Sequence, residues 1–299
     1  MHERGRRIRL CLSLLLCLLL CGCGGPAYPV GTAFADAPPV SLPLREEPPW
    51  PSVPVYIDSL LSARALDRDS CVYVPVSALC FVFGLDSDWH VDGGSLSLSV
   101  SGIQVTGTSG DGYLKADGRY LYAPDGWVSH NGELYLPLDA AAHLFGFSGE
   151  LTGDPQRLDI SSAGVSVISG GDMYYELNFP ADDIYWLSHI INSEAKFEPL
   201  AGQIGVGNVV LNRLASPEFP DTVFEVVYDT EHTVQFEPIS TGGIYQDPSE
   251  QSTIAAYLCL EGFNTVGDSI YFVNPDYGSA WFDSALEPTV SIGHHNFYR

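Results

Sequence analysis

Basic side chains are scarce in this sequence. Lys and Arg number 13 against 37 Asp and Glu in 299 residues, a formal charge of −24. A polyphosphate backbone would meet repulsion over most of such a surface, which excludes nucleic acid as a partner. The same repulsion excludes charge-driven attachment to anionic lipid or anionic wall polymers. Long apolar runs are also missing: the longest, Leu10 to Leu20, falls short of the roughly 20 residues a membrane-spanning helix needs. Cysteine is thin. Of 7, Cys11, Cys17, Cys21 and Cys23 sit near the start, leaving Cys71, Cys80 and Cys259, which is no disulfide framework. Small buried hydrophobes are the favoured reading of those three, with a Cys71 to Cys80 bridge as the alternative.

What is present suits a globular, turn-rich chain: 45% apolar and 17% charged residues, with 30 Gly and 21 Pro. The length accommodates two modest domains. Residues 1–23 read as an export signal, with Arg4, Arg6, Arg7 and Arg9 ahead of the apolar run. The run ends Leu20-Cys21-Gly22-Cys23, which resembles a bacterial lipobox and makes Cys23 the lipidated residue. Ala33-Phe34-Ala35 is the alternative cleavage site. Either way the mature chain is expected outside the cytoplasm, anchored to the membrane through Cys23 or secreted to the wall. Residues 24–52 hold eight prolines and predict an extended spacer.

The next stretch repeats itself. Val72-Tyr73-Val74-Pro75-Val76 returns as Leu134-Tyr135-Leu136-Pro137-Leu138, and Phe83-Gly84-Leu85 as Phe145-Gly146-Phe147. Each copy predicts a strand ending in Pro, a short helix (Ser77 to Phe83; Asp139 to Phe145), a capping Gly and a further alternating strand (Leu96 to Val100; Leu158 to Ile160). The pattern resembles the copper amine oxidase N-terminal module of secreted bacterial proteins over about residues 53–165. His90, His130 and His143 lack metal-ligand spacing, so neither copper nor any other cofactor is expected. Helical periodicity starts at Asp182-Asp183, placing a boundary between 165 and 180.

In Ile184 to Glu194 the apolar positions 184, 187 and 191 form one stripe, and Glu194 falls on it. Periodicity alone does not separate a core-facing carboxylate with a function from an end-of-helix Glu turned to solvent. The residues that follow do more. Ser193-Glu194-Ala195-Lys196-Phe197-Glu198-Pro199-Leu200-Ala201-Gly202-Gln203-Ile204-Gly205-Val206-Gly207-Asn208-Val209-Val210-Leu211-Asn212-Arg213 resembles, without a gap, the signature of the SleB/CwlJ-type cell-wall hydrolases, the spore-cortex-lytic family. Later blocks keep the order: Ser216 to Thr222, Gln235-Phe236, Tyr271 to Pro275, and Ile292 to Tyr298. The resemblance spans about 182–299. It departs from the family at Gly205, usually Ala, at Glu237, often Ser, and at His294, usually Asn.

This resemblance implies a mostly helical, lysozyme-like C-terminal domain at 180–299, and with the duplicated strand-helix-strand, β-rich module before it the chain is expected to be α+β. It also implies cleavage of peptidoglycan glycan strands between N-acetylmuramic acid and N-acetylglucosamine, commonly as a lytic transglycosylase. Glu194 matches the family's catalytic glutamate. A hydrolase of this kind needs a second carboxylate; a transglycosylase does not, because the muramic C6 hydroxyl attacks intramolecularly. Glu198 is either that second carboxylate or a supporting neighbour. Arg213 is a plausible charge partner for Glu198. Glu198, Asn212, Arg213, Gln235, Phe236, Tyr271, Asn274 and His295 are the candidate substrate-binding residues, whereas Trp281 and Phe297 are expected in the core. The rival reading is a non-catalytic wall-binding or scaffold protein that keeps the fold.

Overall fold

The computed structural model describes residues 47–69, 71–167, 181–229, 241–276 and 287–299. The segment read as an export signal, with Cys23, most of the segment read as spacer and the expected boundary at Gly170-Gly171 lie outside the described residues. From Glu46 onward the chain is one compact unit.

Alternation of apolar and polar residues decides the strands. In β1 (Ser52–Ile57) every second residue is buried, and in β5 (Ser95–Val100) Leu96, Leu98 and Val100 point inward while Ser95 and Ser97 stay out. β1 begins within the segment read as spacer. β2 (Leu60–Arg68), β3 (Cys71–Pro75), β9 (Val128–His130), β10 (Glu133–Pro137), β11 (Ser148–Thr152) and β12 (Arg157–Ser161) join β1 in a seven-stranded sheet, ordered β11-β12-β1-β2-β3-β10-β9. Only β1 and β12 pair in parallel within it. A second, antiparallel sheet runs β4 (Ser87–Asp92), β5, β6 (Ile103–Thr108), β7 (Tyr113–Ala116), β8 (Arg119–Tyr122).

The internal repeat is present in three dimensions. β3 leads into helix α1 (Val76–Phe83) and β10 into α2 (Leu138–Phe145); both helices close on a glycine with φ of 68°, Gly84 and Gly146. β3 and β10 are antiparallel neighbours, with Leu136 opposite Val74. Neither helix has a side-chain cap from its own N-cap proline. For α1 the second copy supplies one, the Glu133 carboxylate accepting from Ser77 N–H at 2.9 Å. The copies then diverge. β12 pairs with β1, while its counterpart β5 runs into a hairpin with β6 and belongs to the other sheet. Cys71, Cys80 and Cys259 are all free, so no Cys71–Cys80 bridge forms.

The helical region comprises α3 (Ala181–Ala195), α4 (Leu200–Leu214), α5 (Val223–Val227), a 3-10 turn (Gly243–Tyr245) and α6 (Glu250–Leu260). A small sheet follows, β14 (Val290–Ile292) and β13 (Tyr271–Val273) flanking β15 (His295–Tyr298). α4 is buried continuously from Gly202 to Val210. Its glycines permit that: a Cβ on Gly205 would lie 2.7 Å from the Phe297 ring, and one on Gly207 would lie 2.6 Å from Cys259 Sγ. α3, α4 and α6 pack on one another around Leu187, Ile191, Val206 and Leu258.

One continuous apolar core joins the β-rich and helical regions. Where they meet, Tyr120 stacks on Tyr257 at 5.6 Å, and the His143 ring lies 4.1 Å from that of Phe263. Arg119 grips Glu261 with both arms of its guanidinium, Nε donating to Oε1 at 2.8 Å and Nη2 to Oε2.

Candidate active site

Glu194 lies in the last turn of α3, half-buried, with Oε1 withdrawn from solvent. Of the predicted stripe the helix buries Leu187 and Ile191 and half-buries Ile184, but burial runs unbroken from Leu187 to Asn192, wider than one stripe, and Glu194 follows it half-buried. α3 stops at Ala195, four residues before Pro199. That proline caps the start of α4. Glu198 therefore does not sit one helical turn above Glu194. It occupies the turn between the helices, where its N–H donates to Ala195 O at 2.9 Å.

Both oxygens of Glu198 are engaged. Oε2 accepts from His294 N–H at 2.8 Å, and Oε1 lies 3.0 Å from His294 Nδ1; the Glu198 side chain is 8% exposed. Gly293 makes this approach feasible, since a Cβ there would fall 1.9 Å from Oε2, and its φ of +59° suits glycine. Arg213 is not the charge partner the sequence suggested. α4 separates positions 198 and 213 by roughly 20 Å, at 1.5 Å per residue. At its far end Arg213 is buried, donates Nε to Ile270 O at 2.7 Å, and lies over the rings of Phe219 and Tyr271 at 5.3 and 5.5 Å. Burial lowers its pKa to about 10, against the pull of Tyr271 and Asp229, so it remains a cation at neutral pH.

Asn212 spends both amide hydrogens on the loop before β13, donating to Gly267 O at 2.7 Å and Ser269 O at 2.9 Å. His295 is buried beside Phe272, ring centroids 5.2 Å apart; burial lowers its pKa, Glu198 acting in the opposite sense. Tyr271 sits on β13 over Arg213, and Asn274 accepts from Asp276 N–H at 3.0 Å in a turn just beyond. Phe297 is in the core, against Gly205, which accounts for glycine where the family has alanine. Gln235, Phe236, Glu237 and Trp281 lie outside the described residues. The predicted residues thus fall into two groups, Glu198 with His295 near the turn after Glu194, and Asn212, Arg213 and Tyr271 at the far end of α4.

Sequence reasoning missed the brace that shapes the turn between Glu194 and Glu198. Gln203, fully buried, donates Nε2 to Glu198 O at 3.1 Å and to Lys196 O at 3.4 Å, while its Oε1 accepts from Ser252 Oγ at 3.0 Å. Asn192 Oδ1 accepts from Ser249 N–H at 3.0 Å, tying α3 to the start of α6. Asn208 ties α4 to the next loop, donating to Phe263 O and accepting from Thr265 N–H, each at 2.9 Å. Their signal was a polar residue at a helix position otherwise surrounded by apolar ones.

Residues 197–298 match the family model described as Cell Wall Hydrolase, a span that opens three residues past Glu194. Among curated proteins, the chain is 34% identical over 124 residues to a spore cortex-lytic enzyme of Halalkalibacterium halodurans, covering 40% of this chain and 37% of that protein. It is 31% identical over 119 residues to that of Bacillus subtilis, covering 40% and 38%. The match therefore spans well under half the length of these relatives. Among solved structures, the catalytic domain of the germination-specific lytic transglycosylase SleB from Bacillus anthracis is 29% identical, with a TM-score of 0.38, covering 41% of this chain and 98% of that one. The α3–α4 turn, its buried brace and the closing sheet all lie inside or border the span, residues 197–298, in which this chain is similar to the Cell Wall Hydrolase family.

Proposed function

We propose that this protein cleaves peptidoglycan glycan strands between N-acetylmuramic acid and N-acetylglucosamine as a lytic transglycosylase, with Glu194 as general acid and then base. Glu194 donates its proton to the departing glycosidic oxygen. The resulting carboxylate takes the proton of the muramic C6 hydroxyl as that oxygen attacks the anomeric carbon, and a 1,6-anhydro sugar results. One observation carries the choice of mechanism: both oxygens of Glu198 are held by His294, in a side chain 8% exposed. A carboxylate so engaged is poorly placed to attack a sugar or to activate water, which supports the single-carboxylate route. Glu198 then acts as a positioning residue, and Asn212 and Arg213 hold the scaffold. Export, and anchoring to the membrane through lipidated Cys23, complete the proposal.

The test is mass spectrometry of products from purified peptidoglycan. The wild type should release anhydro-muropeptides, and Glu194→Gln none, with its melting temperature kept, because Gln preserves shape but cannot transfer the proton. Reducing N-acetylmuramic ends from the wild type would overturn the transglycosylase assignment. Wild-type turnover by Glu194→Gln would overturn the role of Glu194.

A further inference from the structure

At the N-terminal end of α3, away from Glu194, aromatic rings gather at the surface. Trp186 is the hub: Tyr185 meets it edge-on at 4.8 Å, Phe224 of α5 lies at 5.1 Å and Tyr228 at 5.4 Å. Phe224 and Tyr228 are 4.7 Å apart, and the Tyr228 hydroxyl donates to the Tyr245 hydroxyl at 3.0 Å. Burial and that hydrogen bond push the Tyr228 phenol up to about 12. Trp186 and Tyr228 are half-buried and hold the group, while Tyr185, Phe224 and Tyr245 are 45%, 44% and 62% exposed. A contiguous aromatic surface of this kind is uncommon on a protein unless something binds there.

Charge selects the occupant. α3, α5 and the 3-10 turn contain no Lys or Arg, and Asp182, Asp183 and Glu225 flank the rings on a chain of net charge −24. Anionic lipid, nucleic acid and anionic polymers are repelled. A second copy would bring the same carboxylates face to face. An uncharged sugar chain meets none of these obstacles: the C–H face of a pyranose packs on an aromatic ring, and its hydroxyls find phenols and carboxylates at the edge.

We propose that Tyr185, Phe224, Tyr228 and Tyr245 form an accessory carbohydrate platform for the uncharged β-linked N-acetylhexosamine backbone of the glycan. The platform rests on the cleavage reading for its substrate but is separate from the cleavage site. Tyr185 precedes Glu194 by nine residues, which is roughly 14 Å along the helix and half a turn around it. It therefore holds a neighbouring stretch of strand, and its benefit appears on an insoluble mesh, where retention raises the local concentration of cleavable bonds.

The test uses the full chain. In a Glu194→Gln background, Tyr185→Ala/Tyr245→Ala should bind purified insoluble peptidoglycan and chitohexaose roughly tenfold more weakly, the loss of two stacking rings. Tyr245 is 62% exposed, whereas Tyr185 also packs on Trp186 and on the His189 ring at 4.1 Å, so the melting temperature of each variant is measured alongside and Tyr245→Ala alone should leave it within about 2 °C. With Glu194 intact, the double variant should lose rate several-fold on insoluble peptidoglycan while keeping it on short soluble fragments. Unchanged binding of both ligands would overturn the platform, as would a patch-dependent dimer or patch-dependent binding to phosphatidylcholine vesicles in place of glycan. If the wild type releases no muropeptides while patch-dependent chitohexaose binding persists, the cleavage reading fails and the platform stands. If cleavage proceeds and the double variant matches the wild type on every substrate, the platform alone fails.

Discussion

His295 shows how one residue couples the site to pH. Burial against Phe272 disfavours its charged form, and Glu198, itself bound to His294, offsets this only in part. Its folded pKa therefore lies below the ordinary 6.5. A folded state that binds the proton less readily than the unfolded chain loses stability as pH falls. The contribution of His295 is thus fully present above about 6.5 and drains away below it. Thermal melts between pH 7.5 and 5.5 should show a decline for the wild type and a shallower one for His295→Gln. Parallel slopes would mean that another group governs the acid limb. The opposite character of Glu194 and Glu198 also arises at this scale. Four residues apart in sequence, one ends a helix with an oxygen withdrawn from solvent, and the other is fastened across the turn to the last hairpin.

At the scale of elements, α4 is the part most constrained by its neighbours. An alanine in place of a helix glycine ordinarily stabilises by about 1 kcal/mol. At Gly205 the added Cβ would stand 2.7 Å from the Phe297 ring and 2.9 Å from Val266, and Phe297 lies fully buried on β15, with no room to retreat. Overpacking of this kind costs about 1–3 kcal/mol, so the clash wins and Gly205→Ala should lower the midpoint of denaturant unfolding. Gly205→Ala/Phe297→Leu should recover part of the loss, since the smaller side chain vacates the site. A Gly205→Ala protein more stable than the wild type would show that β15 moves freely against α4.

At the scale of the whole molecule, the Arg119–Glu261 pair joins regions that the sequence pattern treats as separate. The Glu261 side chain is 1% exposed, so removing its partner strands a carboxylate in the interior. Arg119→Ala should destabilise the chain by about 3 kcal/mol, whereas Arg119→Met/Glu261→Leu should come close to the wild type, because neither charge then remains buried. Chemical denaturation of both variants measures the contrast. A mild single variant would mean that water reaches Glu261. Around the pair, Tyr120 on Tyr257 and His143 on Phe263 bind the β-rich region to the end of α6, so the site is carried by a fold larger than the matched span.

Periodicity and local chemistry alone determined the repeat strands β3, β5, β10 and β12, helices α1 and α2 to within a residue, their glycine caps, the repeat itself, and the helix that carries Glu194. These depend on side-chain spacing and on a few residues with unusual backbone freedom, and both can be read in one dimension. Tertiary structure decided where the two repeat copies part, because β1 pairs with one second strand and β6 with the other. It also decided that Glu198 belongs to His294 and not to Arg213, and that Gln203 braces the turn between Glu194 and Glu198. Each is a contact whose partners, apart from those of Gln203, lie far apart in sequence, and local spacing carries no information about which distant group will neutralise a buried charge or satisfy a buried amide. The aromatic surface around Trp186 is of the same kind, assembled from three segments none of which is unusually aromatic by itself.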